Sequence, residues 1–311
     1  MKVVSYLGGI PSVHKNPEKS EMLVRFAEGV RRLGDQGVEH YNRDLVPADV
    51  GVIQGWVHED SPKTPHLKLR RRVSENTANR HTIIIDSNLF NYTGQKQHQY
   101  HRYSMDGVFP NTGNYFGDTV NPARWQQIQR DYNISLKDWK PRGSNILVCL
   151  QRNGGWSMSG LGVVEWLLKT VKRIRKHTDR PIIVRPHPGD KKASIYLKAA
   201  FEADKRLHNS NGVHLSTQSS IIDDFNSTWA VVTYNSSPGV AAAIEGLPVF
   251  VTDPFPGRSQ AFPVANEFLK DIENPQYFER EPWIERICMS HWKFEELSNG
   301  NAWAHIRGYC K

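Results

Sequence analysis

The chain has 311 residues, 38% of them hydrophobic, with a mean hydropathy of −0.58. That describes a soluble globular protein, long enough for about two ordinary domains, and no run approaches the ~18 apolar residues that span a bilayer. Lysine and arginine number 40 against 32 acids, giving a formal charge of +8 and a pI near 9.3. Such a balance serves solubility, and it also attracts a polyanion such as DNA, RNA or an anionic membrane surface. Cys149, Cys288 and Cys310 are few and scattered, which argues against a disulfide framework or a structural zinc site and fits a reducing cytoplasm.

Strand and helix signals alternate along the chain, the pattern of an α/β fold with largely parallel sheets. Lys2–Leu7 reads as a first strand, its apolar run being too short for a signal peptide. From Glu18 to Leu33, the residues Met22, Leu23, Phe26, Ala27, Val30 and Leu33 recur at helical spacing, and Gly34 follows as a stop. Val50–Gln54 and Thr82–Ile85 are short buried strands, with a basic helix over 63–78 between them. The stretch from Asn91 to Asn121 mixes Gly, Asn, Tyr and His without periodicity. A long irregular segment of that kind is usually functional, and its aromatic content argues against disorder. Pro122–Tyr132 reads as a helix and Leu136–Ser144 as a linker.

The second half restarts with a strand, Asn145–Leu150, a loop, Gln151–Gly160, and a helix, Gly162–Lys176. Three further strands follow: Ile182–Val184, Ala230–Thr233 and Pro248–Val251. The last stretch, Pro282–Ile306, reads as two amphipathic helices carrying Trp283, Trp292 and Trp303.

Chemistry concentrates where strands end. Arg152, Gly154 and Gly155 follow the first strand of the second half; glycines let backbone N–H groups approach a phosphate, and Arg152 adds a charge-assisted contact. Arg185 and His187 are held by Pro186 and Pro188, which fix φ and limit the flanking conformations. Ser236, Ser237 and Gly239 open a small-residue helix, and helix N-termini favour anions. Each also has a plain structural role, as a turn, a satisfied histidine or a serine cap. Ligands of open α/β sheets lie at the carboxyl ends of the strands, so a phosphate-bearing ligand is expected there.

The pairing of R-P-H-P, at Arg185–Pro188, with S-S-P-G…G-L-P-V, from Ser236 to Val249, resembles the donor-binding half of GT-B glycosyltransferases. It is most similar to the branch containing bacterial capsule and Kdo transferases and related phage enzymes, and it covers residues 145–255. The resemblance implies two Rossmann-like domains facing across a cleft: an acceptor domain over 1–140, a nucleotide-sugar domain over 145–285, and C-terminal helices over 286–311 that cross back to the first domain. It implies a nucleotide-sugar donor, UDP-glucose first, and no metal. One position departs from the pattern: many GT-B enzymes carry Glu two residues after the helix glycine to hold the ribose, whereas Ala241 stands here and Glu245 lies a turn further on.

The inverting members of such a family need a base for the acceptor proton. Asp86, just past a buried first-half strand, is the candidate, and phage DNA β-glucosyltransferases look similar at this point. His58, Glu59, Asp106 and Asp118 compete with it. The acceptor expected is double-stranded DNA bearing a hydroxymethylated cytosine or uracil, flipped out of the helix and gripped by His58, Lys68, Arg70, Arg71, Arg72, Tyr100, His101 and Arg102. His98 and His101, spaced H-x-x-H, lack a third metal ligand, and Asp223-Asp224 reads as a helix surface or cap. The cytoplasm, that of a host cell for a phage-encoded chain, is the expected location. A capsule or lipopolysaccharide sugar transferase, a nucleotide-sugar epimerase and a non-catalytic nucleic-acid-binding module remain alternatives, and the oligomeric state stays open.

Overall fold

Runs of β-branched residues open both halves of the chain, KVVSY and NILVC, and in the computed structural model each starts its own sheet. The structure describes residues 1–311 except 13, 14, 16, 58–63, 77, 96–99 and 311, and except the side chain of Trp156. The chain divides into two compact units. The first comprises Met1–Asn88, Gln95–Tyr132 and Ile284–Lys311; the second comprises Leu89–Gly94 and Asn133–Trp283.

In the first unit the elements are β1 (Lys2–Tyr6), α1 (Pro17–Arg32), β2 (Gln36–His40), β3 (Val50–Gln54), α2 (Pro65–Ser74), β4 (His81–Asp86), β5 (Tyr100–Met105) and α3 (Pro122–Tyr132). The second unit supplies β6 (Asn145–Cys149), α4 (Val163–Ile174), β7 (Ile182–Arg185), α5 (Ala193–Ala203), β8 (Val213–Leu215), α6 (Ile221–Phe225), β9 (Thr228–Thr233), α7 (Pro238–Ile244) and β10 (Val249–Val251). After α8 (Glu281–Cys288), within which the unit boundary falls, the chain adds β11 (His291–Lys293), α9 (Phe294–Ser298) and α10 (Asn301–Ile306) to the first unit.

The first sheet has the order β11-β5-β4-β3-β1-β2. Strands β2, β1, β3 and β4 run parallel, while β5 is antiparallel to β4 and β11 antiparallel to β5. Because β2 and β3 flank β1, the winding reverses between β1 and β3, and the carboxyl ends of those strands form the topological switch point. The apolar stripe of α1, Met22, Leu23, Phe26 and Val30, is buried in one core with Phe294, Leu297 and Trp303 from the C-terminal segment.

That segment is fastened by polar contacts as well. The buried Arg124 of α3 donates to the Glu296 carboxylate and to the His291 carbonyl, and its guanidinium lies 4.0 Å from the centre of the Trp292 ring. The Trp303 indole N–H donates to Asp35 at 2.8 Å, and the chain's amino terminus meets the same carboxylate at 2.6 Å.

His291 itself is fully buried, and burial, with Arg102, Arg124 and His101 nearby, depresses its imidazole to about 3. An unfolded histidine takes a proton near pH 6.5, while the folded one refuses it down to about pH 3. Between those values the unfolded state binds more protons, so stability rises with pH. We expect the first unit to lose about 1.4 kcal/mol per pH unit on acidification through that window. Denaturation of His291→Asn should show a correspondingly shallower pH slope; an unchanged slope would remove His291 as the cause.

The second sheet, β10-β9-β6-β7-β8, is wholly parallel, and its winding reverses between β6 and β9. On α4, Trp166, Leu167, Val171 and Ile174 are buried in the core that also holds Ile146, Val148, Val184 and Val232. Every residue of α7 from Gly239 to Ile244 is buried, which its run of small side chains permits.

Two stretches differ from the sequence expectation. Residues 100–105, expected in an irregular segment, form the buried strand β5. The Pro282–Ile306 stretch forms three short helices and β11 rather than two helices, because β11 closes the edge of the first sheet beside β5. No described helix is long and apolar enough to cross a membrane. All three cysteines are buried and free.

Candidate functional site

At the β6/β9 switch point the two strand ends are tied together. Beyond β6, the buried Gln151 accepts from the Asn235 backbone N–H at 3.3 Å and donates from Nε2 to Ser157 Oγ at 2.7 Å. Beyond β9, the Asn235 amide donates to the Ser157 carbonyl at 3.0 Å and to Asp253 at 2.6 Å. Burial raises the Asp253 carboxyl above its ordinary pKa, against the opposing pull of the Phe255 N–H, Asn235 and Arg258, whose Nε lies 3.5 Å away. Gln151, Asn235, Asp253 and Arg258 were not among the candidates drawn from the sequence. Position is the common signal of the first three, since Gln151, Asn235 and Asp253 each stand just past a strand's carboxyl end.

Arg152 projects from the loop that follows, and Gly154 turns that loop through φ +70°, a left-handed backbone with no heavy atom within 4 Å of where a Cβ would stand. The loop is braced by Asp190, which accepts from the Asn153 N–H and from the Tyr196 hydroxyl, each at 2.9 Å. Burial works against that carboxylate, but Asn153, Tyr196, Lys192 and Arg152 outweigh it and hold its pKa below the usual value.

His187 stands in the loop after β7, where its Nδ1 accepts from the Gly189 N–H at 3.0 Å. That bond leaves the proton on Nε2 of the neutral ring. Burial lowers the imidazole pKa and nearby Arg152 lowers it further, while Asp190 opposes them. His187 therefore offers one N–H donor next to a cationic side chain, a pair suited to the oxygens of a phosphate.

Arg185 is employed differently from the sequence expectation. Its Nη1 donates to Asp224 at 2.5 Å and to the Gln218 carbonyl at 3.2 Å, and Nη2 to the Ser219 carbonyl at 3.3 Å. The Ser216 hydroxyl completes the buried Asp224 carboxylate. Arg185 thus anchors the segment after β8. Asp223 beside it forms a capping box with Ser220.

In the turn before α7, Ser237 is exposed and makes no side-chain cap bond, whereas Ser236 is tied to Thr233 through a 2.6 Å hydroxyl pair. Gly239 is closely packed: a Cβ there would stand 3.1 Å from Ala261 Cβ and 3.3 Å from Thr233 and Val249. Glu245 lies at the other end of α7, its carboxylate buried against Lys137 and Arg142, so it does not replace the glutamate absent at Ala241.

Two solved structures share this architecture over nearly the whole chain. Both are of Thermosulfurimonas dismutans KpsC. One, titled a β-Kdo 2,7 transferase, matches at 13% identity and a TM-score of 0.52, covering 98% of this chain and 99% of its own. The other, titled a β-Kdo 2,4 transferase, matches at 12% identity and 0.54, covering 94% and 91%. The fold is GT-B. No protein-family model and no curated protein matches the sequence.

Within this GT-B fold the first-unit candidates occupy different surroundings. Asp86 ends β4; its Oδ2 accepts from Arg102 Nη2 at 2.6 Å and its Oδ1 from the Ser87 N–H at 2.7 Å, and about a quarter of the side chain stays exposed. Arg102, Tyr100 and His101, expected on a DNA-gripping loop, belong instead to β5, where Tyr100 and Arg102 are buried and His101 is half-buried. Arg102 is buried on Asp86, the Tyr100 hydroxyl donates to Asp131 at 2.8 Å, and the His101 ring stacks on Phe294 at 5.5 Å. On α2, Lys68 and Arg72 are exposed, and Arg71 pairs with Glu75. Arg70 turns inward and is buried. The rival bases His58 and Glu59, and His98 of the H-x-x-H pair, lie outside the described residues. Asp106, another rival, sits at the opposite end of β4, bonded to His81 and the Thr82 N–H.

In the basic stretch from Lys172 to Arg180, Lys172, Arg173 and Lys176 are exposed, while two arginines are engaged. Arg175 donates to the carbonyls of Thr178, Arg180 and Asn211, and Arg180 pairs with Glu273 while lying 3.7 Å from the Trp229 ring centre. Among the described residues no group of three His, Cys, Asp or Glu could hold a metal ion.

Proposed function

We propose that this protein is a glycosyltransferase that receives a nucleotide-sugar at the β6/β9 switch point of its second unit. The observation that carries the reading is that Arg152 acts on the His187 ring, whose Nε2–H is free to donate, beside the β6 end that Gln151 ties to Asn235 and the turn of the exposed Ser237. Oxyanion binding by fixed donors is what a departing nucleoside diphosphate requires. In this proposal Arg152 and His187 take up the developing charge without a bound metal. The two KpsC titles, both of sugar transferases, support the same reaction class. UDP-glucose is the first donor to test.

For the acceptor hydroxyl, Asp86 is the proposed proton acceptor, with Arg102 holding its carboxylate in one orientation. Asp86→Asn keeps an oxygen for Arg102 and removes the base. Turnover should fall at least about a hundredfold with donor affinity unchanged; steady-state kinetics with separate donor titration checks this, and wild-type turnover would end the assignment.

The acceptor proposed first is hydroxymethylated pyrimidine in duplex DNA, supported by the +8 charge and the exposed Lys68 and Arg72. A second reading, transfer to a surface saccharide as in capsule or lipopolysaccharide assembly, is favoured by the burial of Tyr100 and Arg102, which withdraws two of the expected DNA contacts. Incubation of UDP-, GDP- and CMP-sugars with hydroxymethylated DNA and with acidic oligosaccharides, read by mass spectrometry, separates the two. A hexose gain on the base supports DNA, and a gain on the saccharide supports the second reading. Donor conversion without any acceptor would identify an epimerase.

A further inference from the structure

In the first unit, α2 carries Arg70 inward to the β1/β3 switch point, where it is only 7% exposed. Its Nε donates to the Gly9 carbonyl at 2.7 Å and its Nη2 to Gln54 Oε1 at 3.2 Å. Both partners are neutral. Among the described residues Nη1 makes no hydrogen bond and no carboxylate pairs with the guanidinium. The other buried arginines differ: Arg102 has Asp86 and Arg124 has Glu296, and the half-buried Arg185 has Asp224.

A buried charge is ordinarily paired, because its desolvation is otherwise uncompensated. Burial alone pulls the Arg70 pKa down to about 10. The surroundings add to the positive potential, since Arg70, Arg43 and Lys19 all act on His66 in the sense that disfavours a further positive charge. Gly9 and Gly55 flank the side chain. A Cβ at Gly55, whose φ is +78°, would stand 3.0 Å from Nη1, so the absence of one leaves the approach to that group open. Two neighbouring strand ends, two glycines and a fixed cation form a built site of the kind ligands occupy in doubly wound sheets.

We propose that this site binds an oxyanion, the carboxylate or phosphate of a small acceptor, whose charge completes the pair that Arg70 lacks among the described residues. A guanidinium this recessed suits a terminal group on a small ligand; a duplex phosphodiester would need it at the surface. Naming the ligand an acceptor rests on the transferase reading above, whereas the anion binding does not.

The test uses the full chain in an Arg152→Gln/His187→Gln background, so that the second unit contributes no phosphate site. Inorganic phosphate and glucuronate are titrated in a low-chloride buffer, with calorimetric and thermal-shift readouts. Saturable binding should appear and fall at least about tenfold on Arg70→Gln, the loss expected for a charge-assisted contact. A preference for phosphate identifies a phosphorylated ligand and a preference for glucuronate an acidic sugar. Equal binding with and without Arg70, or none, overturns the proposal. Should Arg70→Gln not fold, hydrogen exchange with Arg70 intact decides: phosphate should protect residues 7–10 and 54–57, and unchanged exchange there overturns it. Protection there, with a wild-type chain that binds no nucleotide, would sink the transferase reading and leave this site standing.

Discussion

Arg152→Ala combined with His187→Ala is expected to weaken nucleoside-diphosphate binding by about 10²–10⁴-fold while leaving the fold intact. Hydrogen bonds to charged groups contribute roughly 1.5–3 kcal/mol each, and 1.4 kcal/mol is about tenfold. Arg152 is exposed, so its loss strands nothing. His187 is half-buried, but its one observed bond within the protein is accepted from the Gly189 N–H, which lies at an exposed turn. Arg185→Ala should behave differently. It leaves Asp224 buried without its cation, so its main effect is on stability, of about 3–5 kcal/mol. Titration calorimetry and denaturation on both variants separate binding from bracing. Nucleotide affinity lost through Arg185 and untouched by the double variant would reverse the roles assigned here.

Glu296→Ala should be the most destabilising single change in the first unit. Arg124 and Glu296 are both nearly fully buried, and Arg124 also holds the His291 carbonyl and stacks on Trp292. Removing one member of such a pair costs about 3–5 kcal/mol, because the other charge is left in the core. That is a large part of the roughly 5–15 kcal/mol that stabilises a domain. The C-terminal segment should detach first, exposing Trp292 and Trp303. Urea denaturation followed by tryptophan fluorescence measures the loss. Replacing both partners at once, Arg124→Met with Glu296→Leu, should recover much of it. A loss below about 1 kcal/mol for Glu296→Ala would show that the pair is not what fastens the segment.

Much of the scaffold was legible because it rests on periodicity. Pro122–Tyr132 reads as a helix from the spacing of Trp125, Ile128 and Tyr132, and it is one; Val50–Gln54 reads as a buried strand for the same kind of reason. β5 escaped because its sequence, YHRYSM, carries an arginine and a histidine through the interior of a sheet. Asp86 meets the arginine, and Phe294 and Glu18 meet the histidine, and such partners are set by the tertiary fold. β2 escaped too, since an edge strand reading QGVEH has no apolar run.

The same division holds at the site. Strand ends that converge can be found in the sequence, since RPHP and NSSPG follow obvious strands. What each side chain does there depends on contacts that spacing does not show. Arg185 and Asp224 are far apart in the chain yet form one ion pair, and Gly239 packs closely against Ala261. On α2, four basic residues look alike in the sequence; the helix turns Arg70 into the core, pairs Arg71, and leaves Lys68 and Arg72 to solvent.

The most direct test of the account is hydrogen exchange on the full chain with and without saturating UDP, repeated with GDP and CMP. The account predicts that one nucleotide protects the segments 150–155, 186–190 and 234–239 together, with an affinity that collapses in Arg152→Ala/His187→Ala. Protection confined to other segments, or no protection with any nucleotide, would contradict a donor site at the β6/β9 switch point.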